Sequence, residues 1–455
     1  MDEKFLSYLW FNKLFDPEQM TLMGEKVEIV SVGQLNTDAG PDAFNAKVRI
    51  DGRLWAGSVE FHVRASDWHR HNHDGRENYD RIILHVVLDA DEQIVSSTDQ
   101  IIPTIQLSYP AFMLDNYRRL MGQATTPDDN SGKADETRSG ITASATSAID
   151  GSTQIARSTC HLSMTTVEPV VLHSWMDRML TERLEEKIAV IENVLQHTGH
   201  DWESAFYIML CRAMGFGTNS DAMQSLAQSI PLSAISHHRD NLEQIEAMML
   251  GQAGFLDNIL PFSPTEEVWM REYAFLQNKF SLSRQNIVPF KMLRMRPPGF
   301  PTMRIAQTAA ILHRHDHLLR HVLECQNIKA LRQIFSHPTS DYWLHHYSLG
   351  RETAPHSSAL SASSIDIIII NTVVPFLFLY GRTTSDYDLQ ERATDMLRQL
   401  PAEHNSLTDS YKSAGIECNN AYDSQALLRL NRHYCSRHEC LRCVFGATAI
   451  NNTRG

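Results

Sequence analysis

Asp42, Glu60 and His62 are the residues whose types and spacing could do chemistry. They lie in "AGPDAFNAKVRIDGRLWAGSVEFHV", residues 39–63, where apolar and polar residues alternate around Asp51-Gly52. Period-2 alternation about an Asp-Gly pair predicts a β-hairpin. Residues i and i+2 of a strand point to the same side, about 6.5 Å apart, so Glu60 and His62 share a face. The turn brings the start of the first strand beside the end of the second, and Asp42 then approaches Glu60. Two carboxylates converging from neighbouring strands make a hard oxygen site suited to Mg2+ or Mn2+. An imidazole beside them can orient or deprotonate a water. Asp38, or Asn36, can complete the ligand shell through water.

Histidines extend the same region: His69, His71 and His73 follow in "DWHRHNHDGRENYD", and His85 falls inside the next apolar run. Three readings stay open. The acids and His62 form a catalytic metal site; the histidines bind a transition metal such as Zn2+ for a different hydrolysis; or the acids are solvent-facing residues balanced by Lys47 and Arg49.

The elements that must position these residues follow from pattern. A short helix over Phe5–Phe15 precedes "KVEIVSVG", the hairpin, "RIILHVVLDA" and "IPTIQLS". "RIILHVV" is apolar on both faces and predicts a central strand of a mixed sheet. Residues 123–158 turn to Ser, Thr, Ala, Gly and Asp, a composition that cannot bury enough apolar area to offset its ordering entropy, and predict a flexible linker. Beyond it, apolar residues recur at helical spacing. The expected organisation is an α/β domain at 1–122, the linker at 123–158, and a larger, mainly α-helical domain at 159–455. "SIDIIIINTVVPFLFLY" is too short and too interrupted by Asp366, Asn371 and Pro375 for a span, and reads as a buried helix.

The chain has 455 residues, 42% hydrophobic and 21% charged, and a formal net charge of −13. That balance excludes coating nucleic acid by overall charge, so any DNA or RNA contact must be local. "SRQNIVPFKMLRMRPPGFPTMRIAQ" is such a basic island, with Arg294, Arg296 and Arg304 as candidate phosphate contacts. Seven cysteines, three of them near the C-terminus, do not form a secreted disulfide framework and point to a reducing, cytoplasmic compartment. "MDEKFLSYLWFNKLF" lacks the marks of a signal peptide, and no membrane association is expected. "HYCSRHECLRC" sets Cys435, Cys440 and Cys443 at C-x4-C-x2-C spacing, fit for three ligands of Zn2+ or of an iron–sulfur cluster. The fourth would come from His433, His438, Cys160 or Cys418.

Gly40-Pro41-Asp42 entering a strand, a hairpin, and Val59-Glu60-Phe61-His62 on the next strand, after a helix and before a further strand, resemble the PD-(D/E)xK nuclease core. The resemblance covers residues 1 to about 110. It implies metal binding by Asp42 and Glu60, phosphodiester hydrolysis on DNA or RNA, and for His62 the place of the lysine that positions the attacking water. His62 departs from the pattern, because neutral imidazole carries no fixed positive charge. A catalytically silent fold that binds nucleic acid or protein is therefore the alternative. Some nucleases of that superfamily also carry a cysteine-ligated cluster near the C-terminus. Nearly the whole chain also resembles a bacterial family designated as a domain of unknown function, on "WAGSVEFH", "RPPGFPTMRIAQ", "DSQALLRL" and "YCSRHECLRC".

Overall fold

The computed structural model describes residues 3–36, 40–71, 79, 82–96, 100–121, 159–257 and 263–452. The expected linker at 123–158 and the candidates Asp38 and His73 lie outside the described residues. Two compact units divide the chain: Met1–Trp175 with Asp409–Ile416 and Leu430–Gly455, and Met176–Thr408 with Glu417–Arg429.

The first unit is built on a mixed, 7-stranded sheet. Its elements run α1 (Glu3–Phe11), β1 (Gln19–Met20), β2 (Lys26–Ser31), β3 (Gln34–Leu35), β4 (Ala43–Ile50), β5 (Arg53–Arg64), α2 (Asp67–Arg70), β6 (Ile82–Asp89), β7 (Thr104–Gln106) and α3 (Ala111–Leu120). The order is β1-β2-β4-β5-β6-β7, with β3 paired to β4. β2, β4 and β5 form an antiparallel meander, and β6 and β7 then add in parallel. The predicted hairpin is β4–β5, turned by Asp51 and Gly52 at φ 46° and 80°, the left-handed pair that a two-residue turn requires. β6 buries its six residues from Ile83 to Leu88 between β5 and β7, as its doubly apolar pattern predicts.

α1 explains why the middle of the sheet is dry. Phe5, Leu6, Leu9 and Trp10 are fully buried, and Trp10 and Phe11 pack on Phe61 of β5. Each such side chain removes enough apolar surface from water to contribute about 1.5–3 kcal/mol. The Trp10 Nε1–H donates to the Val32 carbonyl at 2.9 Å, so its one polar atom is satisfied. Ala65, Trp68, Tyr79, Val87, Ile94 and Ile102 form a further apolar cluster, which anchors α2 beside β5 and β6.

The second unit is almost wholly helical. Among the described residues, Ala362–Thr384 is the one helical stretch long and apolar enough to cross a membrane, and 67% of its most apolar window is buried inside the protein. A π-turn at Ile369–Val373 precedes Pro375, absorbing the backbone bond that proline cannot make. Asp366 accepts two hydrogen bonds from the Arg332 guanidinium, at 2.7 and 2.8 Å. These contacts fit the expected core helix.

One boundary differs from the sequence reading. The cysteine-bearing segment Leu430–Gly455 belongs with the sheet in the first unit, not with the helical unit that precedes it in sequence. Helical periodicity identifies a helix but not its packing partner. Here Val444–Asn451 packs on α3, and Asn116 Nδ2 donates to the carbonyls of Ile450 and Asn452.

Candidate functional site

β4 and β5 bring Asp42 and Glu60 together as the hairpin register requires, Ala43 pairing with Val59. The Asp42 backbone N–H donates to Glu60 Oε2 at 3.2 Å, and the Phe61 N–H donates to Asp42 Oδ2 at 2.8 Å. Glu60 is 5% exposed. Burial, then the neighbouring Asp42 charge, pushes its carboxyl up to about 9. Burial also raises Asp42, partly countered by the Phe61 N–H and by His71. Burial and the Asp42 charge thus both favour the protonated form of Glu60.

His62 is fully buried, and its ring contacts Trp68, His71 and His85. A chain of hydrogen bonds assigns its tautomer. The Thr104 hydroxyl donates to the Ile102 carbonyl at 3.1 Å, so its oxygen accepts from His85 Nδ1 at 3.5 Å. His85 Nε2 is then the acceptor for His62 Nδ1–H at 2.8 Å. In that tautomer the His62 proton is on Nδ1.

Two further residues complete the site. Glu3, on the first turn of α1, offers an oxygen 3.9 Å from His71 Nδ1. Ligand atoms of Glu3, His62 and His71 all lie within 4.8 Å of one another, a spacing able to close on one divalent ion. The Asp42 charge acts on Glu3, the Glu3 charge acts on Glu60, and His71 acts on both Glu3 and Asp42, so these four side chains form one electrostatic group. Burial foremost raises the Glu3 carboxyl, while His71 lowers it. Glu3 escaped the sequence reading because a lone acid opening a helix carries no local signal; only the packing of α1 brings it here.

The site opens into a cavity of about 600 Å³ within the first unit. Glu3 and Asp42 lie on it beside Tyr8 and Phe11, and Lys4, Arg437 and Arg442 bring cationic side chains to the same space. The two arginines stand between the C-terminal cysteines, where the sequence reading weighed only the thiols and imidazoles.

The other candidates fare differently. Asn36 turns its Nδ2 to the Pro41 carbonyl at 2.9 Å and shapes the loop before Asp42. His69 lies 3.7 Å from Glu92. Arg294 and Arg296 are exposed in the second unit. Arg304 is not a surface phosphate contact: it stacks on Phe216, donates to Gln307, and is lowered to about 10 by burial, because its helix Pro301–Arg314 is almost entirely core. Arg284, which stands among bases in sequence, pairs with Asp257.

A family model described as a protein of unknown function, DUF2851, matches residues 3–131 and 138–406. The chain belongs to this family. The match takes in Glu3, Asp42, Glu60, His62 and His71, whereas the three C-terminal cysteines follow its end. No curated protein and no solved structure matches the chain.

Proposed function

We propose that the first unit is a metal-dependent phosphodiester hydrolase acting on DNA or RNA. The observation that carries this reading is the pairing of Asp42 with Glu60 beside the Glu3–His62–His71 group, with Glu3 and Asp42 lining a cavity that Lys4, Arg437, Arg442 and Glu439 also line. The order helix, antiparallel meander, short helix and parallel strand is also the order expected of a PD-(D/E)xK core, with Asp42 and Glu60 at its metal-binding positions.

The donor set fits a divalent ion. Carboxylate oxygens suit Mg2+ and Mn2+, and the two imidazoles tilt the preference toward Mn2+. When bound, such an ion acidifies water and offsets charge on a phosphate. Asp42, Glu60 and Glu3 would hold it. The His85 contact holds the His62 ring beside Glu3 and His71, which suits His62 as a ligand or a proton acceptor. Lys4, Arg437 and Arg442 attract and orient the phosphate backbone. The thiol-rich chain suits a reducing, cytoplasmic setting.

A histidine-centred transition-metal hydrolase is the second reading, favoured by the Glu3–His62–His71 group taken alone. Incubating the purified protein with end-labelled single- and double-stranded DNA and RNA tests the proposal. Cleavage with Mn2+, weaker with Mg2+, is expected. Cleavage of none of these substrates with either ion overturns it, and activity with Zn2+ alone transfers the assignment to the second reading.

A further inference from the structure

The cavity beside Asp42 has a lining that phosphodiester hydrolysis alone does not require. Its floor is apolar: Tyr8, Phe61 and Tyr117 are buried there, and Phe11 is half-buried beside them. Leu35 also lines it, yet stands 56% exposed. β3 sets Leu35 opposite Ala43 of β4, the residue after Asp42, so strand register fixes this exposed leucine beside the acid.

The C-terminal segment supplies charge to the same space. Its turn Cys440–Arg442 packs on α1 and on the helix Val444–Asn451, which Cys443 caps. A Cβ at Gly446 would meet the Cys440 carbonyl oxygen at 2.0 Å, so glycine is what lets the turn lie against the helix. Upstream, the π-turn Asn431–Cys435 places Cys435 Sγ 3.3 Å from the Tyr411 hydroxyl. Asn451 Nδ2 donates to the Tyr8 hydroxyl at 3.5 Å and ties the helix to the cavity floor. From this anchored segment Arg437 and Arg442, both exposed, reach the cavity with Glu439 between them, and exposed Lys4 joins from α1.

Size, depth and lining together select the occupant. A volume of about 600 Å³ is that of a pocket for one small molecule, and it admits a nucleotide but not a duplex. The acids it leads to are recessed, since Glu60 is 5% exposed and His62 is fully buried. A duplex keeps its bases paired and stacked between two backbones, and cannot thread one phosphodiester into such a recess. An unpaired strand can. Its bases splay out and stack on aromatic and apolar side chains while cations follow the backbone. An aromatic floor, an exposed apolar side chain and a cationic wall offer both kinds of contact in one cavity.

We propose that the cavity receives one unpaired nucleotide of single-stranded DNA or RNA, its base against Leu35 and Phe11 and its phosphates on Arg437 and Arg442. This rests on the hydrolase reading for the reaction at Asp42, whereas the binding itself needs no cleavage.

Anisotropy titrations of full-length Asp42→Asn protein, a background in which cleavage is suppressed, test the pocket. The labelled probes are single-stranded DNA, single-stranded RNA, the blunt duplex of each, and a DNA strand of abasic sites. Unpaired strands should bind about tenfold or more tighter than duplexes or the abasic strand, because one stacked base is worth about 5- to 150-fold in affinity. The tighter of the DNA and RNA arms identifies the strand. Added to this background, Leu35→Asn should weaken single-strand binding several-fold without changing its salt slope. Arg437→Ala and Arg442→Ala should each weaken it and lower the salt slope by about 1. Leu35→Trp enlarges the stacking surface and should tighten binding, a gain that misfolding cannot produce.

Equal affinity for the blunt duplexes or the abasic strand overturns the pocket. So does a free mononucleotide that binds as tightly as the strand, or binding unchanged by every substitution at Leu35, Arg437 and Arg442. Single-strand binding of the expected kind without cleavage by wild type faults the hydrolase reading alone, and cleavage of blunt duplex as fast as single strand faults the pocket alone.

Discussion

Each unit holds a pair of histidines in ring-to-ring contact, and the difference between the pairs is what sets one of them apart as a candidate site. His62 and His85 meet through Nδ1 and Nε2 at 2.8 Å; His315 and His337 meet through two Nε2 atoms at 2.7 Å. In the first pair the contact joins two different ring nitrogens, and a ligand atom of His62 lies within 4.8 Å of Glu3 and His71. In the second, each ring spends its outer nitrogen on the other. Asp316, whose charge acts on His315, lies 3.5 Å from His321 and 4.0 Å from Arg239. Burial and then the surrounding imidazoles hold His315 down to about 4, without a converging carboxylate group. Histidine density alone is therefore a poor signal; a directed hydrogen-bond chain ending among acids is a better one.

The sharpest way to break this contrast is to remove charge from one side only. Asp42→Asn and Glu60→Gln keep shape but forfeit several kcal/mol of charge stabilisation, and each should lower divalent-dependent cleavage by about 10^3-fold or more. His315→Asn and His337→Asn should leave cleavage unchanged. Comparable losses in both sets, read as initial rates on one substrate, would erase the distinction.

A smaller effect sharpens the role of the chain from Thr104. His85→Ala frees His62 to change tautomer, and Mn2+ affinity should fall about 10–100-fold, as for other second-layer partners of metal-bound imidazoles. His62→Lys separates two roles. Retained cleavage marks a water-positioning group, as in the resembled nucleases, whereas cleavage lost together with Mn2+ affinity marks a ligand.

Glu60 predicts a pH dependence. Held up to about 9, it is protonated at neutral pH without a cation. Binding a cation must expel that proton, so Mn2+ affinity should rise toward tenfold per pH unit from neutrality to about 9. Stability without metal runs the opposite way. The contribution of this raised carboxyl is full below its ordinary value of 4.5 and is lost as pH rises through about 9. Glu60→Gln should flatten both profiles, measured by Mn2+ titration and thermal midpoint; unchanged slopes would remove Glu60 from the site.

The smallest effect belongs to the second pair. His315 is lowered, so its contribution to stability is present above 6.5 and lost as pH falls toward about 4. His315→Asn should lessen the fall in thermal midpoint over that window without altering cleavage. A fall of wild-type size would show that acid sensitivity arises elsewhere.

The hairpin with its Asp-Gly turn, the central β6 and the pairing of Asp42 with Glu60 were legible because strand alternation and turn chemistry are local. Glu3, Arg437 and Arg442 were not, since each reaches the site through packing of an element remote in sequence. Arg304 misled because a base in a basic run looks solvated until its helix is seen to be core. The C-x4-C-x2-C spacing revealed three thiols, whereas Cys160 comes near them only through the packing of the turn Thr159–Thr166 on the helix Val444–Asn451.

A Mn2+ titration followed by electron paramagnetic resonance tests the central claim most directly. Wild-type protein should bind a single Mn2+ with imidazole nitrogen couplings that weaken in His62→Ala and His71→Ala, and binding should collapse in Asp42→Asn and Glu60→Gln. Mn2+ binding that survives all four substitutions, or wild-type protein that binds none, would contradict a metal centre built from the sheet and α1.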